Sequence, residues 1–364
     1  MGKKNFFRRI LSTIIVATIL LFNAATHAEI FTGEGSYSIC ELETLDIAKE
    51  RAKSIAVRDA IKKSCPYVKS YVLAKNFNLD SDAVELITVN VLKLADEPRF
   101  NIANMTIRAT VNVQIDDCDI ERWLHMNIYE NIIQYKALRR GEDKQIKLIA
   151  ELKRQLADNP NDKEVLAQKF AEADKIFISH QKLHEALKLY NKDDFNGTIR
   201  LCNEAIELNP TYNFTYNNRA LALIGLGQYD LAIKDFGTSI KLHAACFNAY
   251  NNRGAIYRNL NQYEKAIDDH NNAIRIKPTS EDSYFNRGLD YYCLGDYKKA
   301  IRDFNKSIKL NPNYYVAYNG RGVVYLQLKQ YKRAIKDFDK AIELNPNYEI
   351  AKNNREKCLR AMDR

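Results

Sequence analysis

Several chemical signatures are missing from this chain of 364 residues. None of its seven cysteines sits in a C-x-x-C pair, and its six histidines are scattered, so no zinc site is legible. There is no glycine-rich phosphate loop, no G-x-S-x-G, no H-E-x-x-H and no Cys/His pair in a catalytic context. The acidic cluster Asp116-Asp117-Cys118-Asp119 lacks the spacing of a calcium loop and reads as a solvated helix start. No metal, no cofactor and no enzymatic activity are therefore expected. The formal net charge is +9, but acidic and basic residues are interspersed. Without a basic stripe or a known motif, a nucleic-acid partner is not expected. The only tryptophan, Trp123, is expected to fasten neighbouring segments together rather than to stack on a ligand.

The apolar run Ile10–Phe22 is too short to span a bilayer comfortably. It follows the basic residues Lys3, Lys4, Arg8 and Arg9 and precedes small Thr26 and Ala28. That order is the pattern of a secretory signal peptide, with cleavage after Ala28; an uncleaved anchor is the alternative. Removing residues 1–28 takes away four positive side chains and no negative ones, which leaves +5. The mature chain is expected in the periplasm or secreted, with no transmembrane helix. In such a compartment a disulfide can form. Cys40 with Cys65 is disfavoured because the helix between them holds its ends apart, while Cys118 with either stays open. Cys202, Cys246, Cys293 and Cys358 are expected as small buried thiols.

Residues 29–118 have a mixed pattern. "EIFTGEGSYSI" alternates as a strand does. "ELETLDIAKERAKSIAVRDAIKKS" has helical spacing at Leu45, Ala48, Ala52, Ile55, Ala56 and Ala60, and Pro66 is expected to end it. A second helix is expected near Asp82, with Glu85 as a capping-box partner. "ITVNVLKLADEPRF" and "MTIRATVNVQID" are expected as strands. The sum is a small α+β domain, one helix over a short antiparallel sheet. The glycines of "GEG" (Gly33 to Gly35), the alanines Ala48, Ala52, Ala56 and Ala60, and "TIRATVNVQID" resemble the N-terminal domain of the flagellar assembly protein T family. That resemblance implies a protein of the cell envelope, not a chemistry.

Residues 119–178 are charged and helical, broken at Asn159-Pro160-Asn161, and are expected to be a connector with few apolar contacts to either side. From Ser179 to Tyr348 the chain repeats every 34 residues, in units 179–212, 213–246, 247–280, 281–314 and 315–348, with 349–364 as a charged capping helix. The first helix carries a small residue at Ala186, Ala220, Gly254, Gly288 and Gly322. An aromatic marks the turn at Phe195, Tyr229, Tyr263, Tyr297 and Tyr331. The second helix carries Ala232, Ala266, Ala300 and Ala334, then Phe236, Phe304 and Phe338, and closes on Pro210, Pro278, Pro312 and Pro346. These positions resemble the tetratricopeptide repeat family. The resemblance implies a mainly helical superhelical solenoid of helix–turn–helix pairs, which bury a core only by stacking. The first unit departs from it with Thr198 and Cys202, the second lacks its proline, and the third has His270 in a phenylalanine slot, where a satisfied interior residue is expected rather than a ligand.

The string "YNNRG" recurs in this frame. Arg219, Arg253, Arg287 and Arg321 share one slot, and Asp235, Asp269, Asp303 and Asp337 share another sixteen residues on. Both vanish together in the first unit, where Glu185 and Leu201 stand, so they are expected to pair across the two helices of a unit. Asn218, Asn252 and Asn286 occupy the second Asn slot, which carries His184 in the first unit and Gly320 in the last. In the resembling arrays of O-linked N-acetylglucosamine transferase, asparagines at this offset form a ladder that holds an extended peptide by its backbone. An amide suits that task because it both donates and accepts. Phe214, Arg258 and Tyr292 are the other candidate groove residues. The carboxylate clamp of chaperone-type arrays is absent, with Leu183 and Leu187 in two of its slots. The expected role is a scaffold that binds a protein or peptide segment. A structural spacer, or an enzyme or its accessory subunit, is the alternative.

Overall fold

The computed structural model describes residues 28–74, 79–117, 120, 128–159 and 162–362. Trp123, Cys118 and the expected signal peptide up to His27 lie outside them. The chain forms two compact units, residues 1–180 and 181–364.

In the first unit the order is β1 (Ala28–Ser38), α1 (Leu45–Ala74), α2 (Ser81–Val91), β2 (Lys93–Leu94), β3 (Arg99–Ala103), β4 (Thr106–Asp116), α3 (Ile128–Asp158) and the larger part of α4 (Lys163–Tyr190). β4 is the central strand. It pairs antiparallel with β1 from Ala28↔Asp116 to Ser38↔Thr106, and β2 and β3 share its other side. Its alternation places Ile107, Ala109, Val111 and Val113 against Ala48, Ala52, Ala56 and Ala60 of α1. The "GEG" glycines are where α1 comes closest to β1. A Cβ on Gly33 would lie 2.1 Å from the Ala56 carbonyl oxygen, and one on Gly35 would lie 2.4 Å from that of Ala52. The small residues of strand and helix are thus one contact, in which backbone packs on backbone.

Three expectations need correction. Pro66 does not end α1, which continues to Ala74. Proline removes the hydrogen bond to the carbonyl four residues back, but Lys62 and Pro66 both face solvent. The next two turns then bury Val68 and Val72 in a second core with Val84, Ile87 and Ile115. The segment 87–91 is helix rather than strand. Its β-branched residues belong to α2, which starts close to the expected Asp82 but is capped by Asp80; the Asp80 carboxylate accepts from the Ala83 N–H at 2.8 Å. Ile87 and Val91 are buried in one core and Val89 in the other, so tertiary burial outweighs their strand preference. Nor is the charged segment poor in apolar contacts. Ile149, Leu152, Leu166, Phe170 and Ala173 form a core of their own with Tyr37, Cys40 and Leu42 packed on it. Arg51 of α1 adds ion pairs to Glu43 and, at 2.6 Å, to Asp174 of α4.

The second unit is a solenoid of stacked helix pairs. First helices are the end of α4, α6 (Asn213–Gly225), α8 (Phe247–Asn259), α10 (Glu281–Cys293) and α12 (Tyr315–Gln327). Second helices are α5 (Phe195–Leu208), α7 (Tyr229–Leu242), α9 (Tyr263–Ile276), α11 (Tyr297–Leu310) and α13 (Tyr331–Leu344), and α14 (Glu349–Met362) follows. Each pair turns on a residue with positive φ at the same offset: Asp193, Gly227, Asn261, Gly295 and Lys329. There the chain closes a 6→1 bond, as from Gln228 N to Leu223 O at 2.9 Å. Phe236, Phe304 and Phe338 are wholly buried. The small slot of the first helix faces them: a Cβ on Gly288 would lie 2.9 Å from the Phe304 ring and one on Gly322 2.7 Å from Phe338. Cys202, Cys246 and Cys358 are buried, whereas Cys293 is exposed, a departure from the expectation for the repeat thiols. It is the last residue of α10, one past Tyr292, which packs on Tyr297. Among the described residues no helix is long and apolar enough to cross a membrane, and no group of three or more Asp, Glu, His or Cys could hold a metal ion.

Candidate functional site

The recurring "YNNRG" lies along the first helices, and its slots have distinct partners. Arg219 Nε and Nη2 donate to Asp235 Oδ2 and Oδ1, both at 2.7 Å. The same two-pronged bond joins Arg253 to Asp269, Arg287 to Asp303 and Arg321 to Asp337 at 2.6–2.9 Å. The four aspartates are 2–5% exposed, so these are charge-assisted bonds in a dry environment. The third arm of the guanidinium reaches backward. Nη1 of Arg219, Arg287 and Arg321 donates to Asn203, Asn271 and Asn305 on the second helix of the preceding unit at 2.6–2.7 Å. The tyrosine of the string lies under the same group, with ring centroids 5.5–5.8 Å from the guanidinium carbon. All four arginines are held above the ordinary guanidinium range. In Arg219 and Arg253 the aspartate bond is the main cause; in Arg287 and Arg321 burial opposes the charge most, and the aspartate bond and its charge outweigh it.

The first Asn joins neighbouring units. Asn251 Oδ1 accepts from the Ser283 hydroxyl at 3.0 Å, and Asn319 Oδ1 accepts from Asn354 Nδ2 of α14 at 3.0 Å. Asn354 and Arg355 are themselves the "NR" of a further copy, and Arg355 pairs with Asp339 as the other arginines pair backward. α14 therefore follows the last unit as a further first helix would, with its arginine bonded backward through Nε rather than Nη1.

The second Asn is not uniform. Asn218 is buried, and its Nδ2 donates to the Phe214 carbonyl of its own helix at 2.8 Å. Asn286 Oδ1 accepts from Arg258 Nη2 at 3.3 Å, and its carbonyl accepts from Nη1 of the same arginine. Asn252, between them, is half-buried, and its side chain makes no hydrogen bond among the described residues. The structure thus joins two candidate groove residues, Arg258 and Asn286, directly. Phe214 packs on Tyr212 and Tyr292 on Tyr297, with ring centroids 5.5 and 5.9 Å apart. The slot that loses its amide at Gly320 is crowded. A Cβ there would lie 3.1 Å from the Phe304 ring and 3.3 Å from that of Phe285. Phe285 fills the first-Asn slot of its unit and packs on Phe304 and Tyr314.

Sequence reasoning missed one group. Asp290 takes a slot that is apolar at Ala222, Ile256 and Val324, and it is fully buried. Its Oδ2 lies 2.5 Å from His270 Nδ1, and its Oδ1 accepts from Arg258 Nη1 at 3.1 Å. His270 is interior, but only half satisfied, since its Nε2 is buried without a partner beside Gly254, where a Cβ would lie 2.8 Å away. The signal was available: a histidine for a phenylalanine in one unit coincides with an aspartate for an aliphatic residue in the next.

The tetratricopeptide repeat family profiles match residues 215–246, 247–280, 281–314 and 315–348. No curated protein matches the chain. Among solved structures the chain is similar to MamA at 27% identity, with a TM-score of 0.42 over 44% of this chain and 94% of that one. It is similar at 18% identity to YrrB, described as a tetratricopeptide repeat protein with an unusual peptide-binding site (TM-score 0.42, 48% and 90% covered). The first tetratricopeptide repeat of Spaghetti (RPAP3), bound to an HSP90 peptide, is 28% identical (TM-score 0.31, 32% and 94% covered).

Proposed function

We propose that the second unit is a scaffold that binds an extended segment of another protein along its first helices, and that it reads the segment's backbone through side-chain amides. The observation that carries this reading is Asn252. Its amide keeps a donor and an acceptor unused among the described residues, between Asn218, whose Oδ1 makes no such bond, and Asn286, whose Nδ2 makes none. Peptide units offer complementary groups in any sequence, so the amides would select an extended conformation more than particular side chains. Arg258 adds a positive group at the same place. Its charge is already matched by Asp290, which argues against an acidic C-terminus as the target. No catalytic step is part of this reading. The self-bonded Asn218 favours the rival reading, a spacer whose helices bind nothing.

Peptides selected from a random library on the purified chain separate the two. Replacing Asn252 and Asn286 by Ala removes up to three bonds of about 1 kcal/mol each, so affinity is expected to fall at least tenfold. Arg253→Ala is expected to lower the melting temperature and spare affinity, because its loss strands buried Asp269. A double variant that binds as the parent does would contradict the reading.

The chain is further proposed to work outside the cytoplasm, in the cell envelope, on the strength of the basic, apolar and small-residue order of residues 1–28. Amino-terminal sequencing of the exported protein is expected to begin at Glu29; a mature form that keeps Met1 would contradict it.

A further inference from the structure

The sheet of the first unit has two edges, and they are treated differently. Along the β1 edge, side chains from neighbouring helices occupy the outward backbone groups. The Glu34 N–H donates to Asp59 Oδ2 at 3.0 Å, the Thr32 carbonyl accepts from Lys63 Nζ at 3.0 Å, and the Ser38 carbonyl accepts from Lys153 Nζ. Such covering is how natural sheets block strand addition. Along β3 no side chain meets the backbone of residues 99–103 among the described residues, and all five residues are exposed. The edge is also apolar. Phe100 and Ile102 stand opposite Ala109 and Ile107, hence on the face that α1 covers over β1 and β4 but leaves open over β3. They are 36% and 47% exposed, and Leu94 and Met105 beside them are 45% and 57% exposed.

The open groups can be identified from the turn. β3 and β4 are joined by Asn104 and Met105 alone, both at positive φ (49° and 56°), the two-residue hairpin in which the flanking pair, Ala103 and Thr106, is hydrogen-bonded. Alternation along the ladder then makes Asn101/Arg108 and Arg99/Thr110 the other bonded pairs. The N–H and C=O groups of Phe100 and Ile102 therefore point away from β4, toward the open edge.

We propose that β3 pairs antiparallel with β3 of a second copy of this chain about a two-fold axis at Asn101. The sequence Arg-Phe-Asn-Ile-Ala is self-complementary in that register. Phe100 meets the partner's Ile102 as a hydrogen-bonded pair, and Ile102 meets the partner's Phe100, which gives four backbone bonds and joins the two apolar strips on one face. Arg99 falls opposite Ala103 of the partner, so no like charges meet. Two four-stranded sheets become one continuous sheet, and the contact is isologous, as a closed dimer requires.

Cysteine cross-linking of the full chain tests the register, with Cys293→Ser in every variant to remove the exposed thiol. On the axis, the Cα atoms of Asn101 and its copy would be about 4.5 Å apart, within the span of roughly 4.4–6.8 Å that a disulfide bridges. Two Ala103 Cα atoms would be offset by four residues along the strands, about 13 Å. Under mild oxidation Asn101→Cys is expected to give a covalent dimer and Ala103→Cys none. Sedimentation of the parent is expected to show a concentration-dependent dimer that the double variant Phe100→Lys/Ile102→Lys loses, while the variant still unfolds cooperatively and its melting temperature no longer depends on protein concentration. A parent that stays monomeric, equal cross-linking at 101 and 103, or a dimer untouched by the two lysines would each overturn the proposal.

Discussion

In four of the five units one arginine ties helices together. It clamps its own unit through the buried aspartate and reaches the preceding unit through an asparagine, while its tyrosine shields it from one side. Residue by residue, the pattern has a single gap. Opposite Arg253 the preceding unit offers Gly237, where Asn203, Asn271 and Asn305 stand in the other copies. A Cβ at Gly237 meets only Arg253 Nη1, at 3.6 Å, so there is room for the missing side chain. Gly237→Asn is expected to complete the bond and stabilise the second unit by about 1–2 kcal/mol, as a hydrogen bond to a charged group does. Gly237→Ala is the control, because it supplies the gain in helix propensity without the bond. Asparagine is the poorer helix former by several tenths of a kcal/mol. Chemical denaturation should therefore show Asn at least as stable as Ala; Asn clearly below Ala would show that the third arm of the arginine contributes nothing.

At the scale of elements, legibility followed the period. Between Asn213 and Leu344 the 34-residue frame coincides with successive helix pairs, because identical contacts recur and each slot can be read against its copies. It also exposed the exceptions, such as Gly320, whose surroundings are only visible in three dimensions: the Phe304 and Phe285 rings of the preceding unit crowd the position. Where nothing repeats, local preference misled. Pro66 sits in a helix whose solvent-facing side tolerates a lost hydrogen bond, and the β-branched run 87–91 is helical because two cores need it. The charged helices α3 and α4 concealed an apolar stripe beneath their Lys and Glu residues, so Phe170 and Leu152 were not anticipated as core. The glycines of "GEG" were legible as a motif, but their reason, backbone contact with α1, was not. The candidate groove was legible as a row of amides. That Asn218 turns back on Phe214 and that Arg258 is tied to Asp290 and Asn286 depends on side-chain geometry, which no spacing encodes.

The whole molecule combines a sheet unit with one covered and one open edge and a repeat unit with one row of partly unused amides. The two proposals give the molecule two different means of holding other chains. An open strand edge offers a fixed ladder of backbone groups, and the amide row offers the same chemistry on side chains at 34-residue intervals. In the proposed function the repeats hold a peptide by its backbone. Replacing single amide bonds of a bound peptide by esters tests this most directly, since an ester removes one N–H donor and weakens one acceptor while every side chain stays. Calorimetric titration is predicted to show affinity falling about five- to thirtyfold for an ester placed opposite Asn252, on the order of 1–2 kcal/mol, with the loss abolished in Asn252→Ala. Conservative side-chain changes at the same peptide position should cost less. Affinity that follows the peptide's side chains and ignores every ester would contradict the account.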